Sequence, residues 1–305
     1  MRDFFKELNI IDILGIGVPG CLLVLLLGGD QTAELLWMAQ FQYHPLAFGI
    51  VLIAVGSLAG MLIQELGDMI EKGLWLIPWL NPKIYAAHAV GIDRIDHKKL
   101  KQHKYKAPGK DLALFLKWVC GIISVLVVIC AAGVFPFTMW KAAHVTDNSV
   151  WVRFPAWLGL LPLVIPVIAI IRWYKPITKL ESSDLAKIKV ICQANPYIQT
   201  KLADHGNTSK RTLFDGWRFV MRNLLLVFAI TNLICLWKPL DLYRRIATTM
   251  VGTEGAMTGN LFWLTLIVSS VVAIMMVRYF HYAFLRYKYS LEDYIELCKN
   301  PDAAK

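Results

Sequence analysis

The sequence predicts an all-α, polytopic membrane protein: a bundle of about six transmembrane helices with a helical cytoplasmic layer. Composition is the first observation, since 57% of the 305 residues are hydrophobic and only 18% are charged, against about 25% charged in soluble domains. The second is that the apolar residues form runs of the length that crosses a bilayer. The third is that basic residues collect in alternate loops, as in the cytoplasmic loops of membrane proteins.

Six apolar runs qualify as spans, because a helix of about 20 residues crosses a hydrocarbon core of about 30 Å. The fourth run is short and contains Pro162 and Pro166, and the fifth contains Arg222 and Asn223. Four spans with two re-entrant or surface segments are therefore the alternative. The six runs cover residues 10–27, 45–63, 112–135, 157–173, 219–237 and 261–277.

Charge placement predicts the topology of these spans. The loop 65–111 holds nine Lys and Arg residues and the loop 174–217 holds seven, whereas the loop 28–44 holds none. Because basic loops stay in the cytoplasm, both termini are predicted to be cytoplasmic. The predicted parts are spans 1 and 2 (1–64), a basic cytoplasmic loop (65–111), spans 3 and 4 (112–173), a second cytoplasmic loop (174–217), spans 5 and 6 (218–279) and a cytoplasmic C-terminal helix (280–305).

The second run carries a row of glycines. A spacing of seven, four and seven residues places Gly49, Gly56, Gly60 and Gly67 on one face of a helix. Such a face lets another helix approach closely. Packing within the subunit is one interpretation, and an oligomer contact or a pore-lining face is the other.

Acidic residues lie at the predicted inner ends of the first two spans. Asp12 belongs to the first, and Glu65 and Asp68 lie one turn apart on the second. In a symmetric oligomer these carboxylates would form rings that attract cations. Ordinary pairing with Lys72 or a nearby arginine is the alternative interpretation.

Polar residues inside the last two spans complete the pore or gating candidates, namely Arg222, Asn232 and Ser270. Ionisable residues within spans are costly and usually face protein or water. Arg222 is therefore predicted to have a functional or buried pairing role, with Glu65 or Asp68 as its partner. Arg218, at the entry of the fifth span, is expected to snorkel to the interface.

The first cytoplasmic loop contains "IDRIDHKKLKQHKYKAPGK", with seven basic residues in nineteen. Attraction to anionic lipid is one interpretation, and binding of a cytosolic polyanion such as a nucleotide or a nucleic acid is the other. The residues predicted to make these contacts are Lys98, Lys99, Lys101, Lys104 and Lys106.

No metal, cofactor or catalytic site is predicted. His88, His97 and His103 share one basic loop, but their spacing matches no zinc pattern. The six cysteines include no C-x-x-C pair. The sequence motifs of P-loop, zinc-protease and serine-hydrolase sites are missing. The chain is therefore predicted not to be an enzyme.

The sixth span continues into a charged, aromatic tail with no Pro or Gly between residues 261 and 297. Its 37 residues would form an unbroken helix of about 55 Å. A row with alternating four- and three-residue spacing runs along this tail, which is a seam of coiled-coil type. It would pack against the chain's own loops, a sister subunit or a soluble regulator. The row consists of Phe280, Phe284, Tyr287, Leu291 and Tyr294.

The tail "YFHYAFLRYKYSLEDY", placed after a multi-span body, resembles uncharacterised inner-membrane proteins of bacteria. Some of those proteins are similar to the membrane effectors of phage-defence operons. The resemblance covers the general layout and the tail, and it transfers no catalytic or gating motif. It implies an effector that perturbs the bacterial inner membrane and that a cytosolic sensor restrains or triggers.

Three functions follow as expectations. The first is a homo-oligomeric channel or pore-type effector of the bacterial inner membrane, regulated through its basic cytoplasmic face. The second is a membrane anchor or scaffold that recruits a soluble partner. The third is a small secondary transporter, for which broken helices and polar groups near mid-membrane would be typical. The expected partners are the lipid bilayer, further copies of the chain and a cytosolic regulatory protein.

Overall fold

The computed structural model describes residues 13–37, 45–75, 77, 80–103, 158–204, 209–237 and 257–299. In this part of the chain the regular secondary structure is entirely helical, as the sequence predicts. The nine α-helices described are α1 (Val18–Trp37), α2 (Pro45–Leu74), α3 (Pro82–Val90), α4 (His97–Gln102), α5 (Val164–Tyr174), α6 (Ser182–Gln193), α7 (Asn195–Asp204), α8 (Ser209–Trp237) and α9 (Met257–Lys299).

Helix α1 continues a π-helical turn at Ile13–Gly17 and extends to Trp37. The prediction of a loop from residue 28 is therefore wrong for its first ten residues. The strong helix formers Ala33, Glu34 and Leu35 follow the glycines there and favour continuation of the helix. Helix α2 begins at Pro45, where the missing N–H of proline is tolerated, and runs beyond the predicted span to Leu74.

Four helical segments are long and apolar enough to cross a membrane: Gly49–Leu74, Leu161–Lys179, Arg211–Cys235 and Phe262–Lys299. They match the second, fourth, fifth and sixth predicted spans. The apolar part of the first, Leu14–Gly28, is shorter. The third predicted span, residues 112–135, lies outside the described residues.

Two of these segments settle questions of continuity. Arg222 and Asn223 do not interrupt α8, which is one helix of 29 residues. Helix α9 is likewise a single helix of 43 residues, about 65 Å long. The unbroken C-terminal helix predicted from the sequence is thereby confirmed.

The chain divides into two compact units. The first unit comprises residues 1–69, 123–166 and 219–277, and the second comprises residues 70–122, 167–218 and 278–305. Helices α2, α8 and α9 contribute residues to both.

Close helix packing characterises the first unit. A methyl group at Gly20 of α1 would overlap the carbonyl oxygen of Gly56 on α2, and one at Gly60 would overlap that of Ile16. A methyl group at Gly56 would in turn overlap the sulfur of Cys21. The backbones of the two helices therefore approach as closely as glycine alone permits.

A hydrophobic core characterises the second unit. Helix α6 packs against α3 and α4, and α3 ends at Gly91, whose φ of 93° is readily adopted only by glycine. The buried residues of this core cluster are Ala86, Ala87, Val90, Ile92, Ile95, Leu100, Ile188, Ile191, Ala194, Ile198, Leu202, Tyr287, Leu291 and Tyr294.

Candidate functional site

A buried arginine defines the candidate site of the first unit. Arg222 is only 5% exposed, and its guanidinium forms an ion pair with the carboxylate of Asp68 on α2. The same guanidinium donates to the backbone oxygen of Gln64 at 3.3 Å and to Oδ1 of Asn223 at 3.3 Å. It also lies over the ring of Phe219, 4.9 Å from the ring centroid. Of the two predicted partners of Arg222, the structure has Asp68.

Asn223 extends this arrangement to a third helical segment. Its Nδ2 donates to the backbone oxygen of Gly15 at 2.7 Å and to Oε1 of Gln64 at 2.8 Å. The Gly15 carbonyl belongs to the π-helical turn before α1. We call these residues, Gln64, Asp68, Arg222 and Asn223 with the Gly15 carbonyl, the Arg222 cluster.

Gly67 makes room for the Arg222 cluster. A methyl group at this position would lie 2.5 Å from Nε of Arg222 and 2.8 Å from its central guanidinium carbon. A larger residue at this position would require the Arg222 side chain to shift. One member of the predicted glycine face therefore lies against the side chain of an ion pair rather than against another helix backbone.

The remaining pore or gating candidates are placed differently. Glu65 is exposed, and Asp12 lies outside the described residues. Asn232 is fully buried and donates to the carbonyl of Phe228 at 2.9 Å. Ser270 donates to the carbonyl of Leu266 at 2.6 Å. Asn232 and Ser270 thus each satisfy a carbonyl of their own helix, an arrangement known for polar residues in transmembrane helices.

The glycine face also divides. Gly56 and Gly60 receive α1, and Gly67 receives Arg222, so these three pack within the subunit. A methyl group at Gly49 would have no neighbour within 4 Å. Three of the four glycines thus contact other parts of the same chain. Their counterpart on α1 is Gly20, which the spacing of glycines along α2 does not predict.

A second set of buried charges lies in the second unit. Arg218 and Glu71 are 4% and 3% exposed and form an ion pair with each other. Arg218 also pairs with Asp215 at 2.6 Å, and Asp215 pairs with Arg286 on α9 at 3.2 Å. These four residues form the Arg218 network. The expectation that Arg218 snorkels is wrong, because two carboxylates hold its charge inside the protein.

The spacing of charged residues along two helices indicates this network in the sequence. Asp68 and Glu71 are three residues apart on one helix, and Arg218 and Arg222 are four apart on another. Both pairs therefore project from one side of their helices with nearly the same rise. Matching spacings of opposite charge on two helices indicate lateral pairing.

The C-terminal seam packs on the chain's own helices. Tyr287, Leu291 and Tyr294 are buried in the core cluster, and Phe284 packs against it. The ring of Tyr287 meets that of Trp75 edge to face at 5.4 Å. Phe280 contacts the ring of its neighbour Tyr279 and is not part of the cluster. Of the three surfaces considered for this seam, the structure shows the chain's own helices for Tyr287, Leu291 and Tyr294, and not a partner or an oligomer.

Lys83 lies beside this aromatic pair. Its ammonium is 5.3 Å from the ring centroids of both Trp75 and Tyr287. Burial lowers the pKa of Lys83, against the opposing effect of the nearby Cys192. Burial also raises the pKa of the Cys192 thiol to about 11, although the Lys83 charge acts in the other direction.

The basic residues predicted to contact lipid or polyanions are only partly described. Lys99 and Lys101 are exposed on α4, and Lys99 makes a loose ion pair with Asp96 at 4.0 Å. The side chain of Lys98 and the residues Lys104 and Lys106 lie outside the described part. Among the described residues, no group of three or more His, Cys, Asp or Glu side chains is placed to hold a metal ion.

The described part of the chain defines a class: a helical protein with four helices that are long and apolar enough to cross a membrane. No protein-family model matches the chain, and no curated protein or solved structure matches it significantly.

Proposed function

We propose that the protein is a channel or pore-type effector whose conduction is blocked by the Arg222–Asp68 ion pair. One observation carries the proposal: a buried, multiply hydrogen-bonded arginine within a helix apolar enough to cross a membrane. Ionisable groups in such helices are expensive and commonly mark an ion path or a gate. A purely structural contact between α2 and α8 needs no charge, because the close glycine packing of α1 and α2 is made without one.

The physical basis is the cost of separating the pair. While Asp68 and Arg222 are joined, each cancels the field of the other and the cluster presents little net charge. Breaking the pair leaves the charge of Arg222, which is only 5% exposed, uncompensated in a medium of low dielectric constant, whereas the side chain of Asp68 is 37% exposed. That charge is stabilised again when water enters or the helices move apart, and either change opens a polar path between α2 and α8.

The cellular location and role that we propose are based on the distribution of basic residues and on the resemblance to inner-membrane proteins of bacteria. The protein would lie in the inner membrane of a bacterium with six spans and both termini in the cytoplasm. It would act in phage defence, with a cytosolic regulator bound to the second unit as the trigger. The ranges of that unit hold 24 of the 32 Lys and Arg residues, which suits a cytoplasmic location. Oligomerisation would use exposed apolar faces such as that of α2 between Leu46 and Met69.

Ion flux from liposomes tests the proposal. We expect Asp68→Asn to raise the passive flux at least about tenfold over wild type, because Arg222 then lacks its counter-charge. Glu65→Gln is the matched control, since it removes an exposed acid from the same helix. The double exchange Asp68→Arg with Arg222→Asp restores an ion pair and should return the flux toward the wild-type value.

The same experiment can overturn the proposal. If Asp68→Asn is folded, by helicity and by elution as a single species, and still conducts no more than Glu65→Gln, the ion pair is not a gate. Planar bilayers containing the wild-type protein should in addition show single-channel events when the trigger is present. Absence of conductance in both assays contradicts a channel of any kind.

A membrane anchor for a soluble partner is the second candidate. The observation in its favour is that the second unit has a core cluster of its own, which gives it the character of a folded module rather than of loops. Affinity capture from a native lysate with a variant of the exposed residues Lys99 and Lys101 distinguishes the two. Loss of a specific protein partner without any change in flux favours the anchor.

A further inference from the structure

We infer that one face of α8 and α9 in the second unit is a binding surface for acidic phospholipid headgroups. The inference rests on the class of membrane protein and not on the proposed channel. The surface lies in residues 209–218 of α8 and 278–299 of α9, which ion pairs join at 3.1 Å between Arg211 and Asp293 and at 3.2 Å between Asp215 and Arg286. These two ion pairs hold residues 209–218 of α8 and residues 278–299 of α9 against each other.

Four rings from the two helices form a continuous aromatic ladder. Trp217 stacks on Tyr282 with a centroid distance of 6.5 Å, and Tyr282 stacks on Phe214 at 6.2 Å. Phe214 then stacks on Tyr289 at 5.4 Å with nearly parallel rings. The ladder runs along both helices, and amphipathic aromatic rings of this kind are enriched where a protein meets the headgroup layer.

The ladder is only partly covered by the protein. Trp217 is 40% exposed, and Leu213, one turn before it on α8, is 47% exposed. A leucine and a tryptophan side by side on a surface indicate contact with something less polar than water. In sequence, this exposed row precedes Phe219, the first residue of the fifth predicted span, and it lies in the first part of the apolar segment Arg211–Cys235.

Charge selects acidic lipid as the occupant. Arg278 is exposed and lies one turn before Tyr282 on α9, so that it flanks the ladder on the same helix face. The ranges of the second unit carry 24 Lys and Arg residues against 12 Asp and Glu. Anionic headgroups complement both the single arginine and the excess charge. A second copy of the chain would bring the same positive charge to the surface and would be repelled.

Photocrosslinking in a defined bilayer tests the inference. The full-length protein, with Leu213 replaced by the photoreactive p-benzoylphenylalanine, is placed in nanodiscs of equal parts phosphatidylglycerol and phosphatidylcholine. We expect lipid adducts at position 213, identified by mass, with phosphatidylglycerol at least about threefold over phosphatidylcholine. Leu185 on α6 is the matched control, since it is 44% exposed in the same unit and should give no lipid adduct.

Every outcome bears on the inference. A crosslinked dimer at position 213, or a crosslink to a soluble protein added to the nanodiscs, would overturn it. So would equal lipid labelling at positions 213 and 185. Arg278→Gln should keep the lipid adducts but remove the preference for phosphatidylglycerol. If this variant keeps the preference for phosphatidylglycerol, Arg278 does not bind the anionic headgroup. Folding is checked by elution in both variants, and the exposed position of residue 213 makes its replacement tolerable.

Discussion

The two units of the molecule differ in how they are held together. The ranges of the first hold 8 basic and 10 acidic residues, and its described helices pack through glycines. The ranges of the second hold 24 basic and 12 acidic residues, and short helices surround a hydrophobic core cluster. In lipid there is no hydrophobic force between helices, so close van der Waals contact must replace it. In water the burial of apolar area is the main driving force.

Each unit also buries an arginine paired with an acid of α2, and the residues around each pair differ. Besides Asp68, Arg222 donates to the side-chain oxygen of Asn223 and to the backbone carbonyl of Gln64. Arg218 is held by two carboxylates, and its guanidinium lies 5.3 Å from the ring of Trp75. The first is a single ion pair of opposite charges, whereas the second is part of a chain of four alternating charges. The comparison predicts different responses to substitution.

The largest effect is expected in the Arg218 network. Arg218→Ala leaves Glu71 buried without its main counter-charge and should lower the free energy of unfolding by about 3–5 kcal/mol. Arg94→Ala, at an exposed arginine of the same unit, should change it by less than about 0.5 kcal/mol. Thermal unfolding of the purified protein in detergent measures both. Equal shifts for the two variants would contradict a structural role for the network.

A slightly smaller effect is expected at the aromatic contact of the C-terminal helix. Tyr287→Ala removes a buried ring from the core cluster and from Trp75, at a cost of about 3 kcal/mol. Tyr287→Phe keeps the ring and should cost less than about 1.5 kcal/mol. Limited proteolysis of the tail, followed by mass spectrometry, reports whether it detaches. A tail that remains protected in the alanine variant would show that Tyr287 does not anchor it.

The glycine contact of the first unit should respond to size alone. Gly60→Val forces α1 and α2 apart and should cost about 1–3 kcal/mol, because a backbone carbonyl cannot move aside as a side chain can. Gly49→Val serves as the control, since the space around Gly49 is open. Thermal unfolding monitored by elution of the intact protein measures the difference. Indistinguishable midpoints for the two valine variants would remove the close contact of α1 and α2.

The smallest effect is expected in the reactivity of the Cys192 thiol in the second unit, and it leaves the fold unchanged. With a pKa of about 11, the Cys192 thiol is about one-thousandth thiolate at pH 8. We expect iodoacetamide to label the exposed Cys298 far faster than Cys192 in the folded protein. Labelling of Cys192 should rise about tenfold per pH unit until pH approaches 11. Peptide mass spectrometry measures both rates, and equal labelling at pH 8 would show that the pKa of the Cys192 thiol is not raised.

Much of the fold was predictable because bilayer length and helix periodicity leave strong traces. The apolar runs located α8 and α9, and the lack of Pro and Gly after residue 261 predicted one continuous helix. The prediction of a loop at residue 28 was wrong because glycine lowers helix propensity by only about 1 kcal/mol, which its neighbours can offset. That Arg222 has a partner of opposite charge was predictable, since an unpaired charge within a membrane span is too costly.

The choice of partners was not predictable in the same way. The sequence left Glu65 and Asp68 equally suited to Arg222, and only the rotation of α2 about its axis favours Asp68. It left the tail three possible partners, and only the packing of α3, α6 and α9 assigns Tyr287 to the chain itself. Gly20 and the aromatic ladder drew no attention because each depends on a residue far away in the chain.

By itself, the sequence determined that this protein is helical, that several of its helices suit a membrane, and that its positive charge is concentrated in a few segments. Those properties follow from composition and local periodicity, which every residue carries independently of its distant neighbours. The tertiary structure alone decided which charges are cancelled, which glycines receive another helix, and which face of α8 and α9 stays exposed. These properties depend on how each helix is rotated about its axis relative to its neighbours. Successive residues are about 100° apart around a helix, so spacing along one helix shows which residues share a face but not which neighbour that face contacts.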